Sequence, residues 1–205
     1  KDVFIEKIEQ CTFLAMSISI PLVLGITLCA PELIQLLLGA HFERTILPLQ
    51  ITAPLIFIIS LSGIFGFQVL SAVGKDRAIF IAALIGMLIS IIAAIAWVPM
   101  YKEVGAAYTI LLTEFSVALA FFFFAKTHLH LKNITTIFFK QALGALPYVL
   151  IILVFKALVP TILLRLTVIT IFAFAWFVIF QLYILPNSIY KKQLDQLQAK
   201  FFKSK

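Results

Sequence analysis

Charged residues and cysteines are scarce in this sequence. Only 12% of its 205 residues are charged, whereas 63% are hydrophobic, which is more apolar surface than a soluble domain can bury. The two cysteines, Cys11 and Cys29, lie before and inside the first predicted span, so we expect free thiols and no disulfide framework. The composition therefore predicts a polytopic membrane protein.

Sequence motifs typical of enzymes are also absent. The chain has no glycine-rich phosphate loop, no serine-centred elbow, no metal-spaced Cys/His set and no close pair of carboxylates. His128 and His130 form a His-x-His pair, but two histidines alone rarely hold a metal, so we interpret them as solvated loop residues. We expect no catalytic residues, no metal site and no cofactor.

The apolar residues fall into six segments that are long enough to cross a bilayer as helices. They predict an all-α membrane helical bundle with six transmembrane helices. The segments run over residues 13–38, 46–70, 78–98, 104–125, 141–159 and 162–185.

Proline and glycine interrupt the first two predicted spans. Pro21 and Gly25 in the first span, and Pro54 in the second, predict helix kinks, because proline removes a backbone donor and clashes with the preceding turn.

Small residues also recur every four positions in several spans, which lets helix backbones approach closely. The recurring positions are Ala82, Gly86, Ser90 and Ala94 on the third span, Gly105, Thr109 and Thr113 on the fourth, and Ser62 and Gly66 on the second. The sixth span has no such ridge, and we expect the first four spans to form a packed bundle with the last two at its lipid-facing edge.

Positive charge is unevenly distributed between the loops. With six spans, 12 of the 16 lysines and arginines fall on the side that holds both termini. Cytoplasmic loops carry the excess of positive charge, so both termini are predicted to be cytoplasmic. Because the basic residues lie in loops between apolar segments, the net charge of +7 does not indicate nucleic-acid binding.

In the tail, residues 187–205, apolar residues at helical spacing among lysines predict an amphipathic helix on an anionic leaflet; a partly disordered basic tail is the alternative.

Glu114 stands near the middle of the fourth apolar segment. A carboxylate at that depth costs on the order of 2.5–3.5 kcal/mol on insertion scales, so it usually has a partner or a function. With Thr113 beside it, Glu114 is our candidate for a cation- or proton-coupled site facing a transport cavity. The alternative is a protonated or hydrogen-bonded glutamate that fixes helix packing.

Two other groups of charged residues have weaker functional interpretations. Lys75 and Arg77, at the start of the third span, can attract a lipid diphosphate, although setting the topology explains them equally well. Glu32, near the end of the first span, is predicted to form a local ion pair with His41 or Arg44 in the following loop; a substrate contact is the alternative.

The order of these features resembles a known family. The runs SIPLVLGITLCAPELIQLLLG, LPLQITAPLIFIISLSGIFGFQVLSAVGK and VPMYKEVGAAYTILLTE are similar to the C-terminal part of bacterial O-antigen and polysaccharide flippases of the multidrug/oligosaccharidyl-lipid/polysaccharide exporter superfamily. The similarity covers residues 10–125. The matching positions are Pro21, Gly25, Gly39, Gln50, Pro54, Gly74, Lys75, Pro99, Gly105, Ala106, Ala107 and Glu114.

This resemblance implies a fold and an activity. Residues 1–125 would supply four helices of the C-terminal lobe, residues 126–186 two additional spans, and residues 187–205 the cytoplasmic tail. The transporter would flip an undecaprenyl-diphosphate-linked oligosaccharide across the bacterial inner membrane by alternating access, coupled to H⁺ or Na⁺, and an N-terminal lobe of the same protein would be missing here. A drug/cation antiporter of the same superfamily and a non-transporting membrane scaffold subunit are the alternatives.

Overall fold

The computed structural model describes residues 2–184, and the predicted amphipathic tail lies outside them. The described residues are almost entirely helical and contain no strand, as the sequence predicts. The helices are α1 (Asp2–Leu37), α2 (Ile46–Thr52), α3 (Leu55–Gly63), α4 (Asp76–Ala125), α5 (Leu131–Leu158) and α6 (Ile162–Ile179). Two π-helical segments, Ile64–Leu70 and Phe180–Ile184, extend α3 and α6, and 3₁₀ turns at Ala40–Thr45 and Lys126–His128 follow α1 and α4.

Prolines affect the first two helices differently. Pro21 and Pro31 both lie inside α1, which continues past them as α-helix, so no break occurs there. Helices α2 and α3 are separated at Ala53 and Pro54, where proline was predicted to kink the second span. A bend of α1 at Pro21 or Gly25 stays a prediction.

Five continuous helical segments of the described residues are long and apolar enough to cross a membrane, so the predicted number of six is not confirmed. The difference arises because the third and fourth predicted spans lie in one helix, α4. Its 50 residues would extend for about 75 Å if straight, roughly twice the thickness of a bilayer. Pro99, the residue that follows the third predicted span, lies inside this helix.

Helix α4 folds back on itself at Lys102. This residue has φ 49° and ψ −122°, a conformation that few non-glycine residues adopt. The rings of Trp97 and Tyr108, on opposite sides of Lys102, have their centroids 6.3 Å apart. A Cβ built on Gly86 would overlap the Val117 side chain, 31 positions along the chain. The two arms of α4, residues 76–101 and 103–125, therefore pack side by side.

Among the described residues, those up to Leu143 form one compact unit and those from Gly144 onward form another. In the first unit, α1 contacts α2 and α3, and α4 contacts α2, α3 and the π-helical segment that follows α3. Its apolar core is built from this π-helical segment, the ends of both α4 arms, α1 and the start of α5. The larger buried core residues are Ile8, Met16, Ile64, Phe65, Val69, Leu70, Phe121, Leu129 and Ile134. The predicted boundary at residues 125–126 stays a prediction.

The second unit contains α5 from Gly144 and α6 with its π-helical extension. Arg165 closes the turn between these helices: its Nε donates to the Val159 carbonyl at 2.8 Å and its Nη2 to the Pro160 carbonyl at 3.3 Å. Phe155 and Phe172 pack with ring centroids 4.7 Å apart. The second unit is therefore a helical hairpin with aromatic contacts along its length.

Candidate functional site

Glu114 lies on the inward side of the second arm of α4. Ala107 and Phe121, two turns away in either direction, share its side of the helix, and both are buried. The opposite side of this arm is exposed and apolar, as the side chains of Tyr108, Phe115 and Phe123 are about half exposed. Glu114 itself is half-buried. Ile110, one turn before Glu114, is 51% exposed, so Glu114 lies at the edge of the side of the arm that packs against other helices.

The packing of Phe121 shows how far along the helix bundle Glu114 lies. A Cβ built on Gly66 would lie 2.7 Å from Phe121 Cε2, so only glycine lets this ring rest against the π-helical segment. The neighbouring rings of Phe65 and Phe122 also pack, with centroids 5.8 Å apart. Glu114 precedes Phe121 by seven residues, or about 10 Å along the helix, which places it level with α3. The polar side chains of α3 are Ser60 and Ser62, and Ser62 is buried.

The Glu114 carboxylate forms no hydrogen bond or ion pair with any residue between 2 and 184. The structure thus shows no polar contact by which this side chain would fix the packing of the described helices. An unpartnered carboxylate on an inward helix face can accept a proton or a cation, and it can also accept a hydrogen bond from a group of a bound substrate.

Thr113, predicted beside Glu114, points in another direction. Its hydroxyl donates to the Thr109 carbonyl at 2.8 Å, and the Thr109 hydroxyl donates to the Gly105 carbonyl at 2.8 Å. The Thr113 methyl lies 3.7 Å from a Cβ built on Gly86 in the first arm. The structure therefore places Thr113 in the seam between the arms of α4, on a different side of the helix from Glu114.

Lys75 ends the exposed turn before α4, and Arg77 lies in the first turn of that helix. Gly74, with φ 70°, adopts the left-handed conformation that lets the chain reverse, and the Lys75 amide donates to the Leu70 carbonyl at 2.8 Å. Both basic side chains are exposed and have no hydrogen-bond or ion-pair partner in the described part of the chain. They are far along the chain from Glu114, at the opposite end of the first α4 arm from Lys102.

Glu32 differs from the sequence-based prediction. It is buried, with 6% of its surface exposed, near the end of α1. His41 and Arg44 are exposed, and neither forms an ion pair with any described residue, so the predicted local pair with Glu32 is wrong. The reason is geometric: the 3₁₀ turn directs both basic side chains outward while α1 packs Glu32 inward.

The structure shows a polar contact at the start of the chain that the sequence did not indicate. The Glu9 carboxylate accepts a hydrogen bond from Asn133 Nδ2 at 2.8 Å and lies 3.5 Å from His130 Nδ1, which makes an ion pair when His130 is protonated. The His130 side chain is 60% exposed, so the pair is solvated. No group of metal-ligating side chains occurs among residues 2–184.

A second contact that the sequence did not reveal joins α2 to α1. Gln50 Nε2 donates a hydrogen bond to the Thr27 carbonyl at 3.1 Å. The signal that could have found it is Pro31, four residues after Thr27, because a proline leaves the carbonyl four residues earlier without its helical donor.

Comparison with known proteins found a partial similarity. The chain is 29% identical, over 113 residues, to a protein of Escherichia coli (strain K12) described as "Putative O-antigen transporter". The aligned part covers 55% of this chain and 26% of that protein, so the chain spans about a quarter of its relative's length. No protein-family model matches the chain, and no solved structure does.

Proposed function

We propose that this chain is the C-terminal part of a membrane transporter that flips a lipid-linked oligosaccharide across the bacterial inner membrane. The substrate class is an undecaprenyl-diphosphate-linked O-antigen or capsular polysaccharide unit, and the mechanism is alternating access without enzyme chemistry. The observation that carries this proposal is the 113-residue similarity to a protein described as an O-antigen transporter. The membrane-length helices and the inward carboxylate of Glu114 are consistent with it.

The transporter topology proposed here counts α4 as two spans. Each arm has about 25 residues, enough to cross the hydrocarbon core once, and the charged tip at Lys102 and Glu103 is exposed. A hairpin brings the total to six spans, so both termini lie on one side. That side is the cytoplasm, because the lysine and arginine excess falls there.

Glu114 is proposed to couple substrate movement to H⁺ or Na⁺. The support is its position on the inward face of an apolar arm, with no partner among the described residues. In an alternating-access cycle, a carboxylate that binds a cation in one state and releases it in the other biases the equilibrium between the states. Lys75 and Arg77 are proposed to attract the substrate diphosphate, since both side chains are exposed on the proposed cytoplasmic side and have no partner in residues 2–184.

The test is complementation of a bacterial strain that lacks its O-antigen flippase with the gene that encodes this chain. We expect wild-type protein to restore surface O-antigen. The variant Glu114→Gln should lower it about tenfold or more at equal protein abundance, because coupling free energies of 1–3 kcal/mol correspond to roughly 5–150-fold effects. The matched control is Glu103→Gln, which removes an exposed carboxylate at the tip of the same hairpin.

Other outcomes discriminate the rival functions. Full activity of Glu114→Gln, with unchanged ion dependence, would remove the coupling role and leave the flippase proposal standing. Failure of the wild-type gene to complement, together with export of cationic drugs, would identify the chain as part of a drug/cation antiporter. No transport of either kind would favour a membrane scaffold subunit.

A further inference from the structure

Pro31 leaves a carbonyl of α1 without its usual donor. In an α-helix each carbonyl accepts a hydrogen bond from the amide four residues later, and proline has no amide hydrogen. The carbonyl affected by Pro31 is that of Thr27, and α1 continues past both residues. Inside a bilayer no water replaces the missing donor, so a neighbouring helix has to supply one.

Gln50 supplies that donor from α2. Its side-chain amide nitrogen lies 3.1 Å from the Thr27 oxygen, a normal hydrogen-bond length between groups 23 residues apart in the chain. The helices themselves are packed, since α1 and α2 are in contact. The contact replaces the internal hydrogen bond that Pro31 removed with one that ties α1 to its neighbour.

We infer that Gln50 is a positioning residue that holds the C-terminal end of α1 against α2. The last turns of α1 begin at Pro31, where the helix lacks a backbone hydrogen bond. Glu32, the next residue, is buried. Proline sites bend and hinge because their helix has lost a backbone hydrogen bond. Gln50 closes this hinge in the present structure, and its release would free the end of α1 to move.

The native cysteines provide a direct measurement of this hinge. Cys29 is 4% exposed and lies two residues from both Thr27 and Pro31, whereas Cys11 is half-buried in the same helix and serves as an internal reference. The full chain in membrane vesicles is treated with N-ethylmaleimide, and alkylation of each cysteine is followed by mass spectrometry. We expect Gln50→Met, which keeps the side-chain length but lacks the donor, to raise Cys29 alkylation relative to Cys11 by about tenfold.

A second substitution separates this inference from a general loss of stability. In the double variant Pro31→Ala/Gln50→Met the alanine amide bonds the Thr27 carbonyl, so Cys29 should return to wild-type protection. The control Gln68→Met removes an exposed glutamine and should change nothing. Three results would overturn the inference. Cys29 alkylation could rise equally with and without Pro31→Ala, it could rise in parallel with Cys11 alkylation, or it could stay at the wild-type level in Gln50→Met. The measurement needs no transport, so its result is independent of the complementation test.

Discussion

The fold-back of α4 and the α5–α6 hairpin both place a glycine where two helices meet, but different groups cover that glycine. In α4, a Cβ built on Gly105 would overlap the backbone carbonyl of Trp97, so main chain lies against main chain. In the second unit, a Cβ on Gly144 would overlap the ring of Phe180, so a side chain fills the space above the glycine. The first hairpin is closed by backbone proximity and the second by an aromatic ring.

The two hairpins also differ in their polar contacts. Between the α4 arms, Thr109 and Thr113 bond to carbonyls of their own helix, which adds no hydrogen bond between the arms. In the second unit, Trp176 Nε1 donates to the Gly144 carbonyl at 3.0 Å and its ring stacks on Phe180. Because lipid tails are as apolar as leucine, helices in a membrane associate through close packing and such hydrogen bonds. The α4 arms rely on close packing without a hydrogen bond between them, whereas the second hairpin combines packing with hydrogen bonds.

The largest effect is expected from Gly105→Ala. The methyl group would collide with the Trp97 carbonyl, and backbone cannot rotate away as a side chain can, so we expect a loss of about 2–3 kcal/mol in the free energy of unfolding. The measurement is reversible unfolding in detergent followed by circular dichroism. Gly63→Ala is the matched control, because nothing lies within 4 Å of its Cβ position, and it should be neutral or slightly stabilising. Equal effects of both substitutions would disprove the close contact of the arms.

A smaller effect is expected from Gly144→Ala. The group in the way is the Phe180 ring, which can shift, so the expected loss is about 1–2 kcal/mol. Adding Phe180→Ala removes the collision, and the double variant should be less destabilised than the sum of the two single variants. The same unfolding measurement applies. Strict additivity would show that the ring does not rest on Gly144, and the contrast between the hairpins would then fail.

The smallest effect is expected from Trp176→Phe. It keeps an aromatic ring over the second hairpin but removes the hydrogen bond to Gly144, which should cost about 0.5–1.5 kcal/mol. Trp97→Phe in α4 is the control, since the Trp97 side chain donates no hydrogen bond to residues 2–184 and contacts Tyr108 only through its ring. If both tryptophans tolerate the change equally, the hydrogen bond does not distinguish the two hairpins.

Some features could be predicted because they are local. The small-residue ridge of the third predicted span placed Gly86 in a helix seam, and the structure packs it against Val117 and Thr113. That Glu114 and Phe121 share one side of the helix also follows from helical spacing alone, because residues seven positions apart lie on the same face. The glycine of the second hairpin was missed, because Lys140 and Tyr148, four positions to either side of Gly144, are large, so no small-residue repeat marks it.

Other features depend on which distant side chains meet. The sequence analysis grouped Thr113 with Glu114, but in the structure the Thr113 side chain lies between the arms of α4. Residues next to each other on a helix point about 100° apart, so the two side chains do not share a side. The predicted ion pair of Glu32 required the direction of the following turn, which local sequence does not determine. Similarly, the Gln50 bond to Thr27 is visible only once α1 and α2 are packed.

The sequence by itself determined that the chain is helical, apolar and suited to a membrane, because the length and hydrophobicity of each segment are properties of local residues. It also marked Glu114 as a costly charge in an apolar segment. Only the tertiary structure decided that α4 folds back at Lys102, that Thr113 lies between the α4 arms, and that Gln50 completes the hydrogen bonding of a proline-containing helix. These contacts join residues far apart in the chain, and only the packed helices bring those residues together.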